Sequence, residues 1–97
     1  MRRRKNPNEG KFEEMADQEG WCVSKRGWPD FFCWRLDDAG KGLIRIVEIK
    51  KRTKDGQLRH LRSTQFRIMQ TLKEYGIEVR ISDGSDWGRA ITKSDEP

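Results

Sequence analysis

A chain of 97 residues, 33% hydrophobic and 38% charged, is expected to form one small domain with a thin core. The formal net charge of +5 and the pI near 9.5 suggest a polyanionic partner, nucleic acid first, beside the simpler role of keeping the chain soluble. No apolar run is long enough to span a membrane and no apolar segment follows the charged N-terminus, so an intracellular protein without a membrane partner is the default expectation.

Met1 to Gly10 opens with Arg2-Arg3-Arg4-Lys5 and reads as a flexible basic arm, either a solvated tail or a non-specific phosphate grip. Lys11 to Glu19 predicts a short amphipathic helix with Phe12, Met15 and Ala16 on its inner side and Gly20 as its stop. Trp21-Cys22-Val23 predicts a first strand, and Ser24 to Trp28 a basic turn. Phe31 to Leu36 predicts an aromatic strand with Pro29 and Asp30 at its entrance. The turn cluster Asp37 to Gly42 then implies an antiparallel hairpin into a strand over Leu43 to Lys50. Lys51 to Arg62 is a polar, strongly basic loop. Ser63 is the expected N-cap of a second helix running to about Tyr75, with Phe66, Met69 and Leu72, or Leu72 and Tyr75, as the buried stripe and Gly76 as the stop. Ile77 to Ser82 alternates as a half-buried strand, expected to lie parallel to an earlier one because a helix precedes it. Asp83 to Pro97 is polar and turn-rich, with Trp87 as its large apolar group. The expected organisation is therefore an arm over 1–10, a domain over 11–82 and a polar segment over 83–97, without internal repeats.

Cys22 and Cys33, with His60 as the single histidine, are too few for a typical structural zinc site and lack CxxC spacing. Both lie in apolar runs, which predicts two buried free thiols. Trp21, Phe31, Phe32 and Trp34 alternate along strands, which favours packing in a core or a dimer interface over base stacking; Trp28, in a loop, is the exception.

The chemistry concentrates at Glu48-Ile49-Lys50, eighteen residues after Asp30. In the strand Leu43 to Lys50, side chains alternate, so Glu48 and Lys50 share a face, and both faces are apolar further back. A carboxylate and an ammonium at the end of such a strand are costly unless paired or coordinating. Folding the turn brings Asp30 beside Glu48 and Lys50. Two carboxylates can hold a hard divalent cation such as Mg²⁺ or Mn²⁺, and an adjacent lysine can stabilise charge developing on a phosphate. Taken singly, Asp30 also fits an ordinary Pro-Asp turn, and Glu48 a simple salt bridge.

Pro29-Asp30 followed by Glu48-x-Lys50 matches the signature of the PD-(D/E)xK nuclease superfamily. Arg26-Gly27-Trp28-Pro29-Asp30-Phe31, Val47-Glu48-Ile49-Lys50 and Leu61-Arg62-Ser63-Thr64-Gln65 with Leu72 and Gly76 resemble successive blocks of VRR-NUC domains, and Phe12-Glu13-Glu14 resembles the acidic start of their first helix. The resemblance covers about residues 10 to 82. It implies an α/β fold with a restriction-endonuclease-like core, a mixed β-sheet flanked by helices, and a DNA endonuclease dependent on Mg²⁺ or Mn²⁺. Stand-alone copies of this size are similar to phage-type proteins and Holliday-junction resolvases, which implies branched DNA as substrate and a homodimer. Carried onto this chain, Asp30, Glu48 and the Ile49 carbonyl hold the metal, Lys50 acts on the scissile phosphate, Glu13 (with Glu14 as competitor) supplies a third acid, and Gln65 bonds a metal water or a phosphate. Lys25, Arg26, Lys51, Arg52, Lys54, Arg59 and Arg62 are the expected DNA contacts. Two rival classes stay open: a nucleic-acid-binding module that keeps the scaffold without catalysis, and a small interaction or regulatory protein.

Overall fold

The structure, a computed structural model, describes residues 7–24 and 30–97. The start of the expected basic arm, and Lys25, Arg26, Trp28 and Pro29, lie outside the described residues. The elements in chain order are α1 (Pro7–Gln18), β1 (Cys22–Ser24), β2 (Phe31–Leu36), β3 (Gly42–Ile49), α2 (Ser63–Glu74), β4 (Glu78–Ser82), β5 (Arg89–Ala90) and a 3₁₀ turn (Lys93–Asp95). The five strands form one mixed sheet in sequence order. β1, β2 and β3 are antiparallel neighbours, β3 and β4 are parallel, and β5 returns antiparallel to β4. The α/β class, the hairpin, and the parallel pairing across α2 agree with the pattern of the chain. No helix among the described residues is long and apolar enough to cross a membrane.

The alternation of β3 explains the layering. Val47 and Ile49 point to one face, where they pack with Phe12 and Ala16 of α1, Trp21, Phe31 and Cys33. Ile46 points to the other face and packs with Phe66 and Met69 of α2, Leu61, Val79, Ile81 and Ile91. The sheet therefore separates two cores, with α1 on one side and α2 on the other. Burying a side chain the size of Phe12 or Met69 contributes roughly 1.5–3 kcal/mol, so these two clusters hold the layers together.

Several boundaries differ from the expectation, each for a physical reason. Helix α1 starts at Pro7, four residues earlier than expected. Proline's fixed φ and missing N–H suit the first turn, and Glu9 there faces the positive helix end. Arg62, not Ser63, occupies the N-cap of α2, in extended conformation with φ −75° and ψ 155°. In the buried stripe of α2, Phe66 and Met69 are buried and Leu72 packs partly, while Tyr75 is exposed. Cys33 is buried but Cys22 is exposed, because it sits on an edge strand, on the α2 side of the sheet but beyond the part that α2 covers. Burial pushes the Cys33 thiol up to about 12, with Arg45 partly offsetting it. The aromatics divide likewise: Trp21 and Phe31 enter the core, and Phe32 and Trp34 stay exposed.

The segment after Ser82 carries more than Trp87. β5 extends the sheet and Ile91 is fully buried in the α2-side core. Arg89 grips Asp95 through two hydrogen bonds of 2.7 and 2.9 Å, and Lys73 of α2 donates to the Ile91 carbonyl. Trp87 crosses to the α1 side, edge-on to Phe12, where the Arg45 guanidinium lies 4.5 Å from the Trp21 ring and 4.4 Å from the Trp87 ring. Gly88 makes this path possible. Its φ is +69°, and a Cβ there would overlap the Ile81 carbonyl. Ile91→Ala is therefore expected to destabilise the whole domain by about 2–5 kcal/mol, read as a lowered urea midpoint. A loss below about 1 kcal/mol would mean that this segment is an appendage.

Candidate functional site

Asp30 and Glu48 meet because of the hairpin register. Phe31 pairs with Val47, which makes Asp30 and Glu48 the next rung, on the α2 side of the sheet. Their side chains close that rung. The Asp30 amide donates to Glu48 Oε1 at 3.2 Å, and the Ile49 amide donates to Asp30 Oδ2 at 2.8 Å. Both carboxylates are thus aimed by backbone rather than by flexible side chains.

Helix α2 completes the group. Gln65 Nε2 donates to Glu48 Oε2 at 2.9 Å. Lys50 Nζ donates to Gln65 Oε1 at 3.1 Å and lies 3.6 Å from Glu48 Oε2. The Arg62 amide also donates to Gln65 Oε1, at 3.0 Å. Gln65 is the third helical residue, from which a side chain reaches back to the N-cap amide. This fixes its amide orientation, with oxygen toward the two donors and nitrogen toward the carboxylate. The role of the Arg62 backbone went unread in the sequence, although the position of Gln65 three residues on was the available signal.

Glu48 is only 3% exposed. Burial raises its pKa from 4.5 to about 7; a hydrogen bond with the Asp30 side chain and repulsion by its charge add to the rise, and the Asp30 amide and Lys50 oppose it. The two carboxyls are therefore an all-oxygen donor set in which Glu48 keeps its proton to near neutral pH. A hard divalent cation takes such ligands and displaces such a proton, so the residues fit one.

The structure brings Asp30, Glu48, Ile49, Lys50 and Gln65 together. It does not bring Glu13 to them. Glu13 lies on α1, across the sheet, beside a separate cavity of about 400 Å³ that Glu14, Asp17 and Trp21 also line. Among the described residues, no group of three or more His, Cys, Asp or Glu side chains is arranged to hold a metal.

The basic loop after Lys50 folds back on itself. Arg52 bridges to Leu58, and the Thr53 amide donates to the Gln57 carbonyl. Leu58 and the buried Leu61 anchor it to the α2-side core. Lys51, Lys54, Arg59 and Arg62 are exposed. Arg52 is engaged at 2.6 Å by Asp83 and at 2.7 Å by the Gly56 carbonyl, so of the expected DNA contacts it is tied into the fold. Arg52, Arg59, His60 and Arg89 line a cleft of about 620 Å³ together with Ser82, whose backbone pairs with Ile49.

The raised pKa of Glu48 makes a signed prediction for the metal-free protein. Between about pH 4.5 and 7 the unfolded chain releases this proton first, so folding stability falls as pH rises through that window, by about 3 kcal/mol in total. Asp83, held at about 2 by hydrogen bonds from Ser85 and then by Arg52, and Asp95, held low by Arg89, act at more acid pH. Urea midpoints measured in EDTA should decline across the window in the wild type and stay level in Glu48→Gln. Equal slopes in the two proteins would mean that Glu48 ionises normally.

Compared with protein-family models, with curated proteins and with solved structures, the chain matches none.

Proposed function

We propose that this protein is a divalent-metal-dependent phosphodiesterase that hydrolyses DNA, the activity implied by its resemblance to VRR-NUC nucleases. One observation carries the reading: two backbone-anchored carboxylates, a lysine and a glutamine, drawn from β2, β3 and α2, are in direct contact at one end of the sheet. A surface salt bridge needs no such burial, and burying a carboxyl this deeply is costly unless the group is used.

In this reading Asp30, Glu48 and the Ile49 carbonyl hold Mg²⁺ or Mn²⁺, which when bound supplies an activated water and polarises the phosphate. Glu48 would give up its proton to do so. Lys50 presents its ammonium beside Glu48 Oε2, where it stabilises negative charge growing on the phosphate oxygens. Gln65 is a positioning residue that ties Lys50 to Glu48 through the two ends of its amide. The exposed Lys51, Lys54, Arg59 and Arg62 steer the backbone of the substrate. Glu13, on the far side of the sheet, has no part in the step. The restriction-endonuclease-like core and a preference for branched or four-way-junction DNA belong to the same proposal, and both rest on the resemblance.

Cleavage of labelled duplex, flap and four-way-junction DNA tests it. Cutting should require Mg²⁺ or Mn²⁺, stop in EDTA, and fall by at least about a hundredfold in Asp30→Ala, Glu48→Gln and Lys50→Ala while DNA binding persists. Glu13→Ala should cut near the wild-type rate. Mn²⁺ should raise the melting temperature of the wild type but not of Asp30→Ala, since only a site that binds the folded state stabilises it. Asp30→Ala that cuts at the wild-type rate would sink the mechanism. Binding without cutting on every substrate would favour the scaffold without catalysis.

A further inference from the structure

The sheet face that carries the candidate acids continues, uncovered, along β2. Asp30, Phe32, Trp34 and Leu36 take successive positions on that face, while Phe31 and Cys33 turn the other way and are fully buried under α1. At two residues per step, Phe32 lies about 7 Å and Trp34 about 14 Å along the strand from Asp30. Phe32 is 41% exposed, Trp34 47% and Leu36 60%. Sideways, Trp34 pairs with Cys22 on β1 and with Ile44 on β3, the latter 43% exposed. Helix α2 packs over β4 and over the site end of β3, at Ile46 and Glu48, so no described element covers these side chains. The alternation that favours packing for strand aromatics therefore holds for Phe31, and leaves Phe32 and Trp34 without a layer above them.

We infer that Phe32 and Trp34 form a stacking platform for unpaired bases of DNA, laid along β2 from the candidate site. The choice of DNA rests on the nuclease reading above, and three observations point the platform at bases. Platform and acids occupy one face of one strand, so a nucleic acid whose phosphate sits at Asp30 and Glu48 has its next nucleotides within reach of Phe32 and Trp34. The two platform positions nearest the site are aromatic, and a flat ring stacks on a base whatever its identity. The cations are placed for phosphates rather than for the platform. Arg35 and Arg45 lie on the opposite face, both against the Trp21 ring, whereas the exposed Lys51, Lys54, Arg59 and Arg62 belong to the segment that leads from β3 into α2 beside the site. On a chain of net charge +5, the backbone of DNA is thus gripped at the site end and its bases are received along the sheet. A base in a duplex is already stacked between its neighbours, so the platform takes nucleotides that are unpaired. The substrate class narrows accordingly, from branched DNA in general to DNA with single-stranded nucleotides next to the cut.

Binding of the full chain, measured in EDTA, separates stacking from charge and from cutting. The probes are an oligothymidine of about twelve nucleotides and its abasic counterpart, which carries the same phosphates without bases. The wild type should bind the oligothymidine about tenfold to a hundredfold more tightly. Trp34→Ala should lose most of that preference and keep its affinity for the abasic probe. Trp34→Tyr, which restores a ring, should regain it. Phe32→Ala serves as a second variant if Trp34→Ala does not give the wild-type circular dichroism spectrum. Equal binding of the two probes by the wild type, or a preference that survives both alanine substitutions, would overturn the inference. So would a dimer in sedimentation equilibrium that Trp34→Ala splits while the preference stays, which would assign the face to a second copy. Cutting is read separately, in Mg²⁺. A protein that cuts duplex DNA without preferring oligothymidine loses the platform and retains the nuclease reading. One that prefers oligothymidine and cuts nothing retains the platform and loses the nuclease reading.

Discussion

A carboxyl buried at the end of a central strand must have its oxygens satisfied, and meeting that demand at Glu48 organises much of this small fold. One oxygen takes the Asp30 amide, which requires β2 and β3 to pair in one register. The other takes Gln65, which requires α2 to begin at one place, and Lys50 stands by it, which requires β3 to keep its pleat to the end. An unpaired buried carboxyl would cost several kcal/mol, comparable to the net stability of a domain this size. The hairpin, the helix start and the strand end are therefore tied together by polar bonds as well as by the two apolar clusters on either side of the sheet.

The parts of this arrangement that the sequence displayed are those set by local periodicity. β2 was legible to the residue, since its aromatics are bounded by Asp30 and by a turn-forming run. β3, β4 and α2 were legible to within a residue or two for the same reason. The meeting of Asp30, Glu48 and Lys50 was legible because folding the hairpin leaves few ways to place those three positions, whereas Gln65 was expected beside them only from the resemblance to VRR-NUC domains. What was not legible depends on which face of the sheet each helix chooses. Cys22, Phe32 and Trp34 lie in apolar runs like those of Phe31 and Cys33, and only the placement of α2 over β4 leaves them open. The side taken by Glu13 has the same cause. β5 and Ile91 were hidden because two strand residues and one isoleucine in a polar tail make no pattern until they meet β4.

The two clusters also divide the labour of holding the chain. The α1 side is aromatic and encloses a cation, with Arg45 between two indole rings. The α2 side is aliphatic apart from Phe66 and the site group. A guanidinium is weakly hydrated and stacks on ring faces, which makes it a tolerable inclusion where a lysine would not be. The ion pair of 3.0 Å between Arg45 and Glu78, with Arg80 on the same carboxylate at 2.9 Å, carries this polar seam across to β4.

The reciprocal bonds between Asp30 and the Glu48–Ile49 segment add one more rung to the β2–β3 ladder, made from side chains in place of peptides. A slip of two residues along the hairpin would keep every apolar side chain on its proper face, so the cores alone would forgive it. The extra rung would not, because neither carboxylate would then find its amide. What prevents the slip is the turn from Asp37 to Lys41, whose Asp37 carboxylate takes the amides of Ala39 and Lys41 at the opposite end of the hairpin. The number of residues in that exposed loop, which touches no functional group, is thereby as much a determinant of the site as the acids themselves.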